Sequence, residues 1–363
     1  VLAEYENTEM RWLLLACLWP FFASARPSVL FVNPSWEADP FFMQVEAVAR
    51  VAAKQLDFDL TIINGDANRL LQQQKLTEYL QKHQPDYAIV QPYTGAGVQV
   101  MQLLAKYPTK IVTLEHMWLP EEAPSVGRPG EIYPNWLAEL YYDNAIASEQ
   151  MTVALQQACP DADQLIGING MINLETEQRA EGVFHAMRQR QGVVHQIVNG
   201  KWDRETAASQ TTQLLRRYPQ SRLIWAASDW MALGALDSLK PVAAGTYCIG
   251  GFDWIPEAQK AIAAGQMQAS IGGHFTMAAF AMVLIYDHQH GNLPQPMPDV
   301  PLLQLDVLTQ HNLAAYQPLL RPGQWQSIDF RRFSRTNNPN QQQYDFSVHS
   351  ALKQLQPRNQ PKQ

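Results

Sequence analysis

Short apolar runs alternating with amphipathic helices, from Ser28 onward, limit what this chain can fold into more than any other feature. "SVLFVN" reads as a strand, and Phe41 to Leu56 as a helix with Val45, Val48, Ala49 and Ala52 on one face. "FDLTIIN", a Gln-rich helix from Leu70 to His83, "DYAIVQP", a helix from Val98 to Tyr107 and "KIVTLEH" continue the beat. Strands that are apolar on both faces, joined by helices through short loops, form parallel sheets covered on both sides. A Pro- and Gly-rich excursion, Met117 to Asn135, interrupts the pattern before a further strand, "WLAELYYDN". A second series then runs from a helix at Ala145 to the strand "QASIGG". The expected fold class is α/β, with two similar units of parallel sheet and about five strands in each. A helix from Thr276 to His290 and a strand "PLLQLDVL" close it. The Asn/Gln-rich stretch after Phe330 lacks apolar periodicity over its first part and reads as an appendage, ordered at most around Tyr344 and Phe346.

The length of 363 residues suits two domains, and 46% apolar residues supply ample core. No basic run accompanies the formal charge of −7, so a nucleic-acid footprint is missing. "MRWLLLACLWPFFASA" carries Arg11, an apolar block from Trp12 to Phe22 and a small-x-small end at Ala23–Ala25, the pattern of a secretory signal peptide. A block of 11 residues is too short to span a bilayer, which takes about 20. The acidic residues 1–9 fit no export signal, so Met10 reads as the true start and 1–25 as a leader. A lipoprotein reading would need Cys17, but the apolar stretch before it is very short and continues after it. Cleavage after Ala25 would remove Arg11 and three glutamates and leave a net charge of −5. Cys159 and Cys248 would then remain in an oxidising compartment, where they can pair. Cys159 closes a helix and Cys248 opens a buried-looking strand far along the chain, which favours two separate buried thiols.

In open α/β sheets, ligands gather beyond the carboxyl ends of the strands. There the first unit delivers Ser35, Trp36, Asp39, Phe41 and Phe42, then Tyr93 and Thr94, then Glu115 and His116. The second delivers Asn169 and Asn173, then Lys201, Trp202 and Asp203, then Ser228 and Asp229, then Asp253 and Trp254, and finally His274. Arg179 lies a little over one turn into its helix and can reach back. Aromatic faces beside carboxylates, amides, a guanidinium and imidazoles suit a small neutral polyhydroxyl ligand. Its hydroxyls need donors and acceptors, and its C–H faces stack on rings. Asp203, Ser228 and Asp229 also fit helix N-caps, and one of Phe41 and Phe42 fits the core. The chain has no G-x-S-x-G, H-E-x-x-H or P-loop, and no clustered metal ligands, so neither an enzyme, a cofactor nor a metal site is expected.

"SDWMALGALDSL", "YCIGGFDWIPEAQKAIAAGQMQASIGG" and "DPFFMQVEAVARVAAKQLDFDLTIINGD" together resemble type I periplasmic sugar-binding proteins of the ribose- and galactose-binding kind, over about residues 28–310. Repressors that share this core begin with a DNA-binding helix-turn-helix, and here an export signal stands in that place. The resemblance implies two doubly wound lobes hinged by three crossovers near Tyr142–Asn144, His274–Phe275 and Leu305–Val307. The N-terminal lobe would comprise 26–143 and 275–305, the C-terminal lobe 144–274 and 306–330, with 331–363 a polar tail.

The same resemblance implies a ligand-binding role for Trp36, Asp39, Phe41, Phe42, Glu115, His116, Arg179, Trp202, Ser228, Asp253 and His274. Phe41, Phe42 and Trp202 would stack, Arg179 and Asp253 match binding residues, and Glu115 with His116 fall on an Asp-Arg pair. The family's Gln after the last strand is Gly273 here, with His274 next, so the resemblance implies a pocket of sugar type and puts ribose itself in doubt. The implied function is capture of a sugar-like ligand by a periplasmic monomer that presents it to an ABC permease. The inserted loop and "YPNWLAELYYDN" resemble a branch that includes receptors for furanosyl quorum signals, for which the partner would be a membrane sensor kinase or chemoreceptor. A secreted carbohydrate-active enzyme using Glu115 and Asp253 is the remote alternative.

Overall fold

The computed structural model describes residues 25–115, 118–239, 246–298, 300, 302–321 and 323–355. The leader and His116 lie outside these. Strand and helix alternate first through β1 (Ser28–Asn33), α1 (Pro40–Gln55), β2 (Asp59–Asn64), α2 (Arg69–Lys82), β3 (Tyr87–Val90), α3 (Gly97–Leu104) and β4 (Lys110–Leu114). The Pro-rich excursion holds one short helix, α4 (Ala123–Val126), before β5 (Trp136–Leu140). A second run follows: α5 (Asn144–Ala158), β6 (Gln164–Asn169), α6 (Leu174–Gln189), β7 (Val193–Asn199), α7 (Arg204–Arg217), β8 (Leu223–Ala226), α8 (Asp229–Ser238), β9 (Cys248–Phe252), α9 (Pro256–Ala263) and β10 (Ala269–Gly272). A 3-10 turn at His274–Thr276 leads into α10 (Met277–Gln289), then β11 (Leu303–Gln304), β12 (Asp306–Thr309) and α11 (Leu313–Leu320). Further 3-10 turns at Gln324–Ser327 and Phe330–Phe333 precede β13 (Phe346–Ser347) and α12 (Val348–Leu355).

Two sheets result, of order β2-β1-β3-β4-β5 and β12-β10-β9-β8-β6-β7. All pairings within the first are parallel, and in the second only β12 runs antiparallel. The order reverses beside β1 in one sheet and beside β6 in the other, and such switch points open a crevice at the strands' carboxyl ends. The chain passes between the sheets at 141–143, at 273–276 and at Leu305. The single strand expected over "PLLQLDVL" is thus two, because Leu305 separates β11 from β12 and only β12 joins the second sheet.

Two expectations are corrected. Cys159 and Cys248 form a disulfide rather than two separate thiols. Gly250 has no side chain, which lets Met151 and Leu155 of α5 lie directly on β9. The helix end therefore falls over the strand's first residue, with the two Cα atoms 6.4 Å apart.

Residues 331–355 are no appendage. Helix α10 is buried all round from Met277 to Ile285, so it needs cover on both sides. The first sheet and α1 cover one side. Phe330, Phe333 and Phe346 cover the other, packed around Phe280, with Phe346 stacked on it at 4.5 Å. Asp287, fully buried on the same helix, accepts from Ser334 Oγ, the backbone N–H groups of Arg335 and Thr336, Thr336 Oγ1 and Tyr344 O–H at 2.6–2.8 Å. A buried carboxylate is tolerated when its lone pairs are filled in this way.

Reducing the disulfide, which links residues 89 apart in sequence, is expected to lower unfolding free energy by about 2–4 kcal/mol. Urea unfolding of the oxidised protein against a Cys159→Ser/Cys248→Ser variant checks this, and coincident midpoints would contradict it.

Candidate functional site

The carboxyl ends of both sheets face one another across a cavity of about 270 Å³. It is lined by Trp36, Asp39, Phe41, Phe42, Glu115, Arg179, Trp202, Ser228, Asp253 and His274, ten of the eleven residues singled out above. Each arrives by a local device. Asp39 caps α1, its Oδ1 accepting from Phe41 N at 2.9 Å and Phe42 N at 3.1 Å, which turns both rings into the opening. Its Oδ2 accepts from Ser35 Oγ at 2.7 Å and has capacity left for a second donor. Ser228 caps α8 through Met231 N at 3.1 Å. Trp202 lies flat over Gly170, where a Cβ would sit 2.1 Å from the indole. Glu115, Trp202 and Asp253 have φ of 61°, 62° and 112°, a left-handed backbone that non-glycine residues rarely adopt and that concentrates at functional sites.

Arg179 is the most heavily bonded group in the cleft. Its Nε donates to Asn144 Oδ1 at 3.0 Å, Nη1 to Ala227 O at 2.6 Å and Nη2 to Tyr142 O–H at 2.5 Å. Nη2 also pairs with Glu175 at 2.5 Å, and the guanidinium lies 4.2 Å over the Phe252 ring. Burial works against its charge, but Glu175, Tyr142, Asp253 and Glu115 outweigh that and keep it protonated. Burial pushes the Glu115 carboxyl well above the usual carboxylate range, Glu175 adds to this, and Arg179 opposes it. Burial likewise raises Asp253, with Arg179 again opposing. His274, with Nε2 3.3 Å from Asp253 Oδ1, is driven down to about 3 by burial and by Arg179, so it is neutral at physiological pH. Its ring lies tilted against those of Phe41 at 4.5 Å and Tyr142 at 5.1 Å.

Four buried polar atoms in the lining have no hydrogen-bond partner: Gln91 Oε1, Thr94 Oγ1, Glu115 Oε2 and His274 Nδ1. An unpaired buried polar atom costs about 1–3 kcal/mol, so a cluster of them beside open space is a demand for a guest. Gln91 Oε1 and His274 Nδ1 are acceptors, and the hydroxyl of Thr94 and the raised carboxyl of Glu115 can act either way.

Of the other loop residues, Ser35, Tyr93, Thr94, Asn173 and Lys201 also line the cavity, while Asp203, Asp229 and Trp254 are placed elsewhere. Asp203 caps α7 through Thr206 N, and Asp229 is buried behind the cleft, bonded to Ser270 Oγ and Ile255 N. Trp254 is wholly buried and donates to Ser270 O. Glu175, Tyr142 and Trp230 line the cavity without having been singled out. Two had a usable signal: Glu175 stands four residues before Arg179, on the same helix face, and Tyr142 lies just beyond the carboxyl end of β5. Trp230 sits in the first turn of α8, where neither spacing nor residue type marks it.

Two open parallel sheets with a switch-point cavity between their carboxyl ends define the two-lobed architecture of type I binding proteins. A family model described as "Periplasmic binding protein domain" matches residues 29–292, and the chain belongs to that family. It is similar to the ribose import binding protein of Escherichia coli (strain K12), with 22% identity over 238 residues, 64% of this chain and 75% of that protein. A crystal structure of a periplasmic sugar-binding protein from Pseudomonas fluorescens superposes with a TM-score of 0.78 at 25% identity, covering 90% of this chain and 99% of the other. An ABC transporter periplasmic solute-binding protein from Actinobacillus succinogenes 130z with bound D-allose has a TM-score of 0.70 at 23% identity, over 80% of this chain and 100% of the other.

Because folding raises the Glu115 carboxyl, the folded protein holds a proton that the unfolded chain has already lost. The contribution of this group to stability therefore falls as pH rises from the unfolded carboxylate range through the raised folded value. Glu115→Gln, which keeps the shape and removes the titration, is expected to raise the melting temperature at pH 8 more than at pH 5. Equal shifts at both pH values would show that Glu115 does not titrate abnormally.

Proposed function

We propose that this protein is a periplasmic receptor that captures a small, neutral, hydroxyl-rich ligand, a sugar, between its lobes and delivers it to an ABC importer. The observation that carries this reading is the set of unpaired buried polar atoms in the wall of a cavity faced with aromatic rings. Sugar hydroxyls donate to Gln91 and His274 and bond in either direction with Thr94 and Glu115, while Phe41, Phe42 and Trp36 from one lobe and Trp202 from the other take the C–H faces of the ring. Arg179 serves the ligand with whatever donor capacity its four partners leave, and its larger task is to hold the floor of the cleft. The charge of Arg179 is already met by Glu175 at 2.5 Å, which leaves little for the carboxylate of an acidic sugar to pair with.

Closure follows from the same geometry. A ligand that bonds to both lobes binds the closed arrangement better than an open one and shifts the population towards it. The permease then reads the closed shape. The names of the relatives, which include ribose and D-allose binders, support a sugar ligand, and the secretory pattern at 10–25 supports delivery to the periplasm.

A thermal-shift screen over pentoses, hexoses and polyols is expected to find a neutral sugar that stabilises the fold, by about 2.7 kcal/mol at a concentration 100 times its Kd. Glucuronate should give no shift. Trp202→Ala and Phe41→Ala should each weaken calorimetric binding of the hit by about 1–3 kcal/mol, from loss of buried apolar contact. Unchanged affinity in both variants, or preferential binding of the uronate, would overturn the assignment.

A further inference from the structure

The C-terminal segment does more than cover a core: it touches both lobes and the crossings between them. On the first lobe, Gln55 of α1 donates to Ile328 O at 2.7 Å and accepts from Phe330 N at 2.9 Å. Asp287 of α10 clasps Ser334, Arg335, Thr336 and Tyr344. On the second lobe, α12 packs against α11, which itself lies on α9.

Between these anchors the segment meets two of the three crossings. Val348 at the start of α12 sits against Gly273, whose φ is 119° and where an added Cβ would lie 2.9 Å from Val348 Cγ1. Strand β13 pairs in parallel with β11, Phe346 opposite Leu303 and Ser347 opposite Gln304, immediately before the third crossing at Leu305. A ladder of rings links the same places. Tyr316 of α11 lies 5.0 Å from Trp254, Trp254 lies 6.5 Å from Phe275 at the second crossing, and Phe275 lies 5.7 Å from Trp325 of the segment.

We infer that residues 324–355 form a strap, a fourth connection between the lobes, that limits how far they can open. This rests on the reading above that the lobes open and close. The three crossings are single backbone passages, and a few residues suffice to absorb a hinge rotation. A segment anchored on α1 and α10 at one end and on α11 at the other has to shear or detach for the lobes to swing wide. Every contact that it loses then opposes the opening. The strap thereby raises the fraction of closed, binding-competent protein, and the apparent affinity rises in proportion.

The test reads the ligand-free protein, so it needs no identified sugar. Spin labels at Arg50→Cys on α1 and Gln213→Cys on α7, both exposed, report the interlobe distance by double electron–electron resonance. In the otherwise unaltered chain a single narrow distribution is expected. Val348→Ala, at the crossing, and Gln55→Ala, at the first-lobe anchor, should each broaden it and move it to longer distance. Neither residue lines the cavity. Circular dichroism establishes that each variant is folded, and if Val348→Ala is not, Gln55→Ala decides. Superimposable distributions in a folded variant, with only the melting temperature lowered, would overturn the strap and leave the segment a core cover. The sugar screen is a separate measurement, so failure to bind any sugar alongside a shifted distance would sink the ligand reading and not this one.

Discussion

Arg179 stands where α6 of the second lobe meets the first crossing, and the cleft is organised around its charge. Its partners come from the crossing itself (Tyr142), the first turn of α5 (Asn144), the end of β8 (Ala227) and its own helix (Glu175). A guanidinium presents its donors in a fixed plane, so satisfying them fixes the relative positions of four elements. The cost of burying the cation is offset by the carboxylates around it, and these in turn are drawn into the interior, where burial raises Glu115 and Asp253. Removing the guanidinium would leave several buried acids without a counter-charge, so the group is as much a structural keystone as a lining residue.

The second constraint is the apolar surface of α10. A helix without a polar face cannot lie on a protein's exterior. Nearly every side chain from Met277 to Ile285 is apolar, so the chain must supply a second layer over it. That layer is drawn from a segment whose composition argues against a core, with its few aromatics, Phe330, Phe333, Tyr344 and Phe346, spaced irregularly among Asn and Gln. The polar residues between them find work as turn formers and as donors to Asp287. One unpartnered helix face thus recruits a stretch that low apolar periodicity would dismiss, and carries it across the crossings to α11.

Much of the architecture was legible because it is written in local periodicity. The fully apolar strands β3, β8 and β9 and the one-sided pattern of α1 leave little choice of layer. The alternation then dictates that loops after strands collect at one end of each sheet, which is why the sequence alone groups Phe41, Glu115, Trp202 and Asp253. Trp230 was harder. Its place in the cleft follows from which way its helix turns once the lobes face one another, and nothing within a few residues encodes that. The disulfide was obscured for a similar reason: Cys159 meets Cys248 only because Gly250 lets α5 settle on β9.

The amino-acid sequence by itself determined the two parallel sheets and the loops that bear functional groups, because both depend on contacts or patterns spanning a few residues. The tertiary structure alone decided which charges share one desolvated space, which polar atoms are left unpaired there, and that residues 324–355 belong to the body of the protein. Those outcomes depend on distances between residues far apart in the chain. Burial, unlike periodicity, is a property of the assembled whole.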